Sequence, residues 1–289
     1  MHLVRYDRGD GPRVGVRQDD SITPLAGVAS MAELLALPLD ELRATVESAT
    51  AAPAPAGSVH LLAPLDGRAE LWCAGVTYAC SRSARMEESE ERSVYDKVYS
   101  AQRPELFLKA PAWRLVTDGD PVGIRADSGH DVPEPELAVV ANAHGEIVGY
   151  TVCNDMSSRS IEGENPLYLS QAKVYAGGAA LATGIRPAWE VPDATDLAIR
   201  LAVRRDGRDV IAAETSTEQL VRPIQQLVDY LFVGNDFPDG AALATGTGIV
   251  PDFDFSLRAG DTVEIEIAEV GRLVNRVEAG KEPFAWLSR

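Results

Sequence analysis

Two glutamates and an aspartate offer carboxylate oxygens at a spacing that can bind a divalent cation. Glu134 and Glu136 flank a proline before an apolar run, and Asp155 follows 19 residues after Glu136. Side chains two residues apart in a strand share a face, and a hairpin turning at His144 and Gly145 would return Asp155 to them. Three converging carboxylates repel one another unless a cation lies between them. Oxygen-only ligation favours Mg²⁺, with Mn²⁺ or Ca²⁺ as alternatives, and disfavours zinc. The other interpretation is a solvated sheet rim without metal.

A lysine follows at a distance that would add a proton-transfer group to this site. Lys173 lies 18 residues beyond Asp155 and is predicted to begin a strand, KVYAGG. Beside carboxylates and a metal, a desolvated lysine can act as a neutral base or a cationic acid. An exposed surface cation is the alternative interpretation. The chain contains four lysines in total, which makes each of them more informative: Lys97, Lys109, Lys173 and Lys281.

The predicted elements that position these residues are mostly strands. Strand patterns cover 3–6, 13–17, 71–78 and 105–109, and longer hairpin-forming runs cover 136–154, 197–216 and 261–277. Helices are predicted at 31–38 after the capping residue Ser30, at 41–49, 157–164 and 221–232, with a charged helical segment at 81–101. The Ala/Pro-rich run 51–57 reads as a linker. We therefore predict a small N-terminal α+β domain, 1–57, and a mainly β domain, 58–289.

Composition limits the function classes. The 289 residues carry 27 Lys+Arg against 44 Asp+Glu, a net charge of -17, which argues against a nucleic-acid partner. No apolar run approaches the ~20 residues that span a membrane, and the start of the chain lacks a signal-peptide pattern. The three cysteines show no metal or disulfide spacing. We expect a reduced, cytoplasmic protein with neither a membrane nor a nucleic-acid partner.

Several motifs occur together in the order of a known family. The chain resembles the fumarylacetoacetate hydrolase superfamily over about residues 70–280. The motifs that carry the resemblance are EPELAVV, which begins at Glu134, GYTVCNDMS, which contains Asp155, then Lys173, and TGTG, which begins at Thr245. This resemblance implies a mixed β-sandwich roll, a homodimer or homotetramer, and Mg²⁺ held by Glu134, Glu136 and Asp155.

One position departs from the hydrolases of that superfamily. Their Gly-x-Asn-Tyr-x-x-His motif supplies a histidine that helps activate water, whereas this chain reads GVTYACSR and has Ser81 at that position. Six short motifs are instead similar to the sugar-acid branch of the superfamily, the 2-keto-3-deoxypentonate dehydratases. They are GVTY, SR.AR, YDKVY, RPELFLK, ENPLYL.QAK and TGTGIVP.

The dehydratase resemblance implies Mg²⁺-dependent elimination of water from a 2-keto-3-deoxy sugar acid, giving 2,5-dioxopentanoate in non-phosphorylative pentose degradation. Lys173 is the first choice for the catalytic base or acid, and Glu105 is the second. Glu105 shares a strand face with Lys109, which either pairs with it or binds the substrate carboxylate.

The remaining expected substrate-binding residues are Arg82, Ser81, Gly246 and Thr247. The last two lie in a turn whose N–H groups and hydroxyl, as the family resemblance implies, would face the ligand. A plain glycine turn is the alternative there. Two other functions stay open: a metal-dependent hydrolase that cleaves C–C bonds in acylpyruvates, and a non-catalytic metal- or keto-acid-binding dimer.

Overall fold

The computed structural model describes residues 1–81, 83 and 97–288. The charged helical segment predicted at 81–101 therefore lies largely outside the described residues. Within them strands are more extensive than helices, which confirms the prediction of a mainly β fold with helices.

The strands in chain order are β1 (His2–Asp7), β2 (Pro12–Gln18), β3 (Ser21–Pro24), β4 (Ala54–Pro55), β5 (His60–Leu62), β6 (Glu70–Gly75), β7 (Glu105–Pro111), β8 (Pro121–Ile124), β9 (Asp131–Val132), β10 (Pro135–Ala141), β11 (Ile147–Asp155), β12 (Ser157–Ser158), β13 (Ala179–Leu181), β14 (Gly184–Pro187), β15 (Ala198–Arg205), β16 (Arg208–Ser216), β17 (Ala241–Ala244), β18 (Thr262–Ile267) and β19 (Gly271–Ala279).

The α-helices are α1 (Met31–Leu35), α2 (Leu39–Glu47), α3 (Arg159–Glu164), α4 (Leu169–Lys173) and α5 (Ile224–Phe232). Short 3₁₀ turns cover Ala56–Ser58, Ala112–Arg114, Pro166–Tyr168, Ala188–Glu190, Thr217–Gln219 and Glu282–Ser288. Ser30 caps α1 by accepting a hydrogen bond from the N–H of Glu33 at 3.0 Å, as the sequence predicts.

Two large sheets and a small ribbon make up the described β structure. The larger sheet runs β4-β3-β2-β1-β14-β11-β10-β17-β6-β7, with β5 added to β1 and β13 added to β11. The smaller runs β16-β15-β18-β19-β8, and β12 pairs with β9. Most pairings are antiparallel, while β17 with β6 and β19 with β8 are parallel. The fold is thus a mixed sandwich in which the N-terminal strands extend the larger sheet.

The predicted linker, 51–57, contributes a strand to the larger sheet. Ala54–Pro55 forms β4 and pairs with β3, and a 3₁₀ turn follows. A proline is tolerated there because β4 is an edge strand, where the missing N–H removes no hydrogen bond from an inner ladder.

The central strand β10 is buried on both faces. Leu137 and Val139 join a core cluster with the smaller sheet and α5, whereas Ala138 and Val140 join a second cluster that includes the N-terminal helices. The apolar stripe of α5 contributes Leu227 and other buried residues to the first cluster. Glu134 and Glu136 have the same alternation as Ala138 and Val140, so the second face of this strand ends in carboxylates.

Candidate metal centre and active site

The β10–β11 hairpin brings the three predicted carboxylates together. Pro135 pairs with Asn154, and the N–H of Asp155 donates to the carbonyl of Glu134 at 3.0 Å. One oxygen each from Glu134, Glu136 and Asp155 lies within 4.8 Å of the others, and all three residues are buried. The convergence inferred from the spacing is confirmed, and the solvated-rim interpretation is wrong, because none of the three side chains lies in solvent.

These carboxylates perturb one another strongly. Burial, with the charges of Asp155 and Glu134, raises the pKa of Glu136 well above its usual value. Burial alone would also raise the pKa of Asp155, but the ammonium groups of Lys109 and Lys173 more than offset it and lower that pKa. The charge of Glu136 is therefore only partly compensated by the protein, and a bound cation would stabilise it.

Lys173 lies directly against two of the carboxylates. Its Nζ is 2.9 Å from Oε1 of Glu134 and 3.0 Å from Oδ2 of Asp155, and it donates to Oγ of Ser157 at 2.6 Å. The prediction that Lys173 begins a strand is wrong, since it is the last residue of α4. This five-residue helix is too short to show a helical period, whereas the KVYAGG that follows resembles a strand.

Lys109 belongs to the same cluster. Its Nζ is 2.5 Å from Oδ1 of Asp155, donates to the carbonyl of Met156 at 2.8 Å, and also donates to the carbonyl of Lys173. The side chain is 1 % exposed. Of the two roles expected for Lys109, pairing with Glu105 or binding a substrate carboxylate, this geometry shows neither; it directs the ammonium group to Asp155 and the backbone.

The sequence reasoning missed two further contacts to Glu134. Arg159, the first residue of α3, places a guanidinium nitrogen 2.8 Å from Oε1 of Glu134 and another 3.1 Å from Glu162. Ser157 donates to Glu134 at 2.9 Å. In the sequence, an arginine in a run of serines indicates a helix start, and nothing local indicates that its guanidinium contacts Glu134.

The TGTG turn holds a metal-binding candidate in place. The N–H of Gly246 donates to Oε2 of Glu136 at 2.7 Å rather than facing open space. The hydroxyl of Thr247 donates to the carbonyl of Ile249 at 3.0 Å, and that of Ser81 donates to the carbonyl of Thr247. Ser81 and Thr247 both line the cleft that contains the carboxylates.

The same cleft includes the second predicted catalytic residue. Glu105 and Phe107 line it, together with Glu162 and the carboxylates, and Glu105 packs against the Cα of Gly75. The alternation predicted for β7 thus places Glu105 and Phe107 on the cleft side. Arg82, expected to bind substrate, lies outside the described residues.

The donor set fits a hard divalent cation. Each member of the cluster offers a carboxylate oxygen, and no imidazole or thiolate of the described residues joins it. The nearby thiols of Cys73 and Cys153 have pKa values raised by burial, which keeps them protonated and poor as metal ligands. Mg²⁺ prefers oxygen ligands of this kind.

Fold and site together identify the family. The profile of the fumarylacetoacetate (FAA) hydrolase C-terminal family matches residues 70–278, and that of the Rv2993c-like N-terminal family matches residues 1–64. The chain belongs to the fumarylacetoacetate hydrolase family, as the motifs predicted.

Two relatives are similar over most of the chain. A probable 2-keto-3-deoxyxylonate dehydratase of Haloferax volcanii is 47% identical over 218 residues, 75% of this chain and 75% of the relative. A 2-dehydro-3-deoxy-D-arabinonate dehydratase of Saccharolobus solfataricus is 40% identical over 224 residues, 76% of this chain and 75% of the relative.

A solved structure shares both fold and sequence. The structure of a 2-keto-3-deoxy-D-arabinonate dehydratase complexed with magnesium and 2,5-dioxopentanoate superposes with a TM-score of 0.84 at 31% identity, covering 98% of this chain and 100% of the other. This similarity agrees with the predicted resemblance to the dehydratase branch.

Proposed function

We propose that this chain is a Mg²⁺-dependent dehydratase that converts a 2-keto-3-deoxypentonate to 2,5-dioxopentanoate and water. The observation that carries the proposal is the buried cluster of Glu134, Glu136 and Asp155 with Lys173 in direct contact with two of them. The similarity to dehydratases over three quarters of the chain supports it.

Glu134, Glu136 and Asp155 would hold Mg²⁺. When bound, Mg²⁺ supplies Lewis-acid stabilisation of the negative charge that develops on the C2 oxygen as a C3 proton is lost. Thr247, Gly246, Ser81 and Arg82 remain the proposed substrate-binding residues; of these, the three that the structure describes line the cleft.

The proton transfers fall to Lys173 and Glu105, which line the same cleft. One group removes the C3 proton, and the other donates a proton to the C4 hydroxyl, which leaves as water. The C3=C4 product then loses a C5 proton and regains one at C3, and the resulting C4=C5 enol tautomerises to the C5 aldehyde. Lys173 is our first choice for the catalytic base or acid, since its Nζ lies among the carboxylates that would bind the metal, and Glu105 is the second.

Location, pathway and oligomeric state are a further part of the proposal. We propose that the enzyme acts in the cytoplasm, in non-phosphorylative pentose degradation, as a homodimer or homotetramer. In the described part of the chain no helix is both long and apolar enough to cross a membrane.

A two-substrate assay tests the proposed reaction. The purified protein with Mg²⁺ is given both C4 epimers of 2-keto-3-deoxypentonate, and the aldehyde product is followed by coupling to an aldehyde dehydrogenase. We expect turnover of at least one epimer. An acylpyruvate is the second substrate, with pyruvate release as its readout; pyruvate release there without turnover of either epimer would establish the hydrolase function instead.

A further inference from the structure

Lys109 lies at an irregularity of strand β7. Trp72 pairs with Leu108 and Leu71 pairs with Ala110, so Lys109 is an extra residue between two paired positions. A bulge of this kind re-aims one side chain out of the regular alternation. The neighbouring Leu108 is 38% exposed, whereas Lys109 is 1% exposed.

The buried ammonium group joins three segments of the site. It forms an ion pair with Asp155 at the end of β11, and it donates hydrogen bonds to the carbonyl of Met156 and to that of Lys173. Lys173 is the last residue of α4, so its carbonyl lies at the C-terminus of that helix. Lys109 therefore links a predicted metal ligand to the backbone of the predicted catalytic lysine.

We propose that Lys109 is a positioning residue, which fixes the Asp155 carboxylate relative to Lys173 and does not bind the substrate. The proposal rests on the proposed dehydratase function. An ammonium group has three N–H bonds; two of them donate to the carbonyls of Met156 and Lys173, and the nitrogen also forms a close ion pair with Asp155. A lysine that bound the substrate carboxylate would need a donor directed into the cleft, and Lys109 does not line it.

Competitive acetylation of the wild-type protein tests whether the ammonium group of Lys109 is buried and bound to protein oxygens. Lys97 and Lys281 are exposed and serve as internal references in the same sample. We expect Lys109 to react at least about 100-fold more slowly than Lys281, because its nitrogen is buried and paired, and saturating substrate should not change that rate. Labelling at a rate similar to that of Lys281, with protection by substrate, would contradict the proposal.

A kinetic comparison tests the positioning itself. Lys109→Met keeps the side-chain length and removes the charge and donors, and Lys281→Met is the matched control at an exposed site. For the folded enzyme we expect kcat to fall about 100-fold, since small misplacements of reacting groups have effects of this size, while KM changes less than about 3-fold. Lys281→Met should change neither. A large rise in KM with kcat retained, or no change in kcat, would overturn the proposal.

The two experiments separate this proposal from the dehydratase proposal. Acetylation needs no turnover, so it gives a result even if neither epimer is a substrate. If Lys109→Met does not fold, which circular dichroism would show before any kinetic measurement, acetylation still tests whether substrate contacts Lys109, and protection by substrate would overturn the proposal.

Discussion

Glu136 is a buried carboxylate that the protein stabilises only in part. Its neighbours Glu134 and Asp155 and its own burial raise its pKa well above the usual value, whereas Lys173 and the N–H of Gly246 act in the opposite direction. At neutral pH the ionised form is thus costly in the metal-free protein, and a bound cation would remove that cost.

The substitution Glu136→Gln separates metal binding from folding. We expect it to lower Mg²⁺-dependent turnover at least about 100-fold, because a metal ligand is lost. The metal-free variant should melt at a higher temperature than the metal-free wild type at pH 7, because the raised pKa means that the charge destabilises the folded state. Glu47→Gln, at an exposed site on α2, is the control. Full Mg²⁺-dependent activity in Glu136→Gln would contradict the ligand assignment.

Asp131 gives a pH-dependent test outside the carboxylate cluster. Burial raises its pKa to about 6, and it lies on β9, which pairs with β12 directly before α3. Because the folded-state pKa exceeds the unfolded value, the folded protein is stabilised while Asp131 is protonated and loses that stabilisation as pH rises from about 4 to about 6.

We expect the free energy of unfolding of the wild type to fall, relative to Asp131→Asn, by about 1 kcal/mol between pH 5 and pH 7. Urea unfolding of both proteins at the two pH values measures this difference. A difference that is constant with pH would show that Asp131 has no raised pKa.

The elements that position the site differ in how far the sequence predicts them. The β10–β11 hairpin, the capped α1 and the amphipathic α5 follow from patterns within one segment. Three other features depend on contacts between segments distant in sequence. They are the placement of Lys173 on α4, of Lys109 on a bulge, and of Arg159 against Glu134. Local period and turn chemistry contain no information on such contacts, so these features could not be predicted.

The TGTG turn needs glycine at position 246 for two reasons, its backbone conformation and a close contact with a residue distant in sequence. Gly246 has φ +97°, and a Cβ there would overlap with the hydroxyl of Thr77, which itself donates to the carbonyl of Thr245 at 2.6 Å. Glycine is needed both for the backbone conformation and for the close approach that lets its N–H bind Glu136.

Gly246→Ala and Gly9→Ala separate these two requirements. Gly9 has a similar φ of +95° but no atom within 4 Å of an added Cβ. We expect Gly9→Ala to cost about 1 kcal/mol from the backbone alone, and Gly246→Ala to cost at least about 2 kcal/mol and to lower turnover as well. Chemical denaturation and the dehydratase assay measure both effects. Equal losses of stability with unchanged turnover would show that the close approach does not matter.

At the scale of the whole molecule, the N-terminal segment shares a sheet and a core with the rest of the chain. Leu3 on β1 pairs with Ile185 on β14, and Leu34 and Leu35 lie in one buried cluster with Val140 and Cys153. The division into 1–57 and 58–289 remains a prediction from composition, and the shared core makes independent folding of the two parts unfavourable.

Calorimetry of the full chain tests that division. We expect one cooperative unfolding transition, because removal of the N-terminal segment would expose the cluster that contains Leu34 and Val140. Two well-separated transitions, with a stable fragment 58–289, would instead support two independently folding domains.

The net charge of -17 means that the protein as a whole repels an anionic substrate. The long-range field repels a sugar acid, so attraction must come from the cleft, where Lys173 and a bound cation would reverse the sign of the potential locally. Metal dependence is therefore central to the proposed function.

The most direct test follows the atoms of the substrate. Metal-stripped protein is mixed with uniformly ¹³C-labelled 2-keto-3-deoxypentonate, both C4 epimers in separate samples, and NMR spectra are recorded before and after Mg²⁺ is added. The proposed function predicts that an aldehyde carbon at C5, or its hydrate, appears only after Mg²⁺ addition, with C4 converted from CHOH to CH₂. No conversion of either epimer with Mg²⁺ present, or the same rate of conversion without metal, would contradict it.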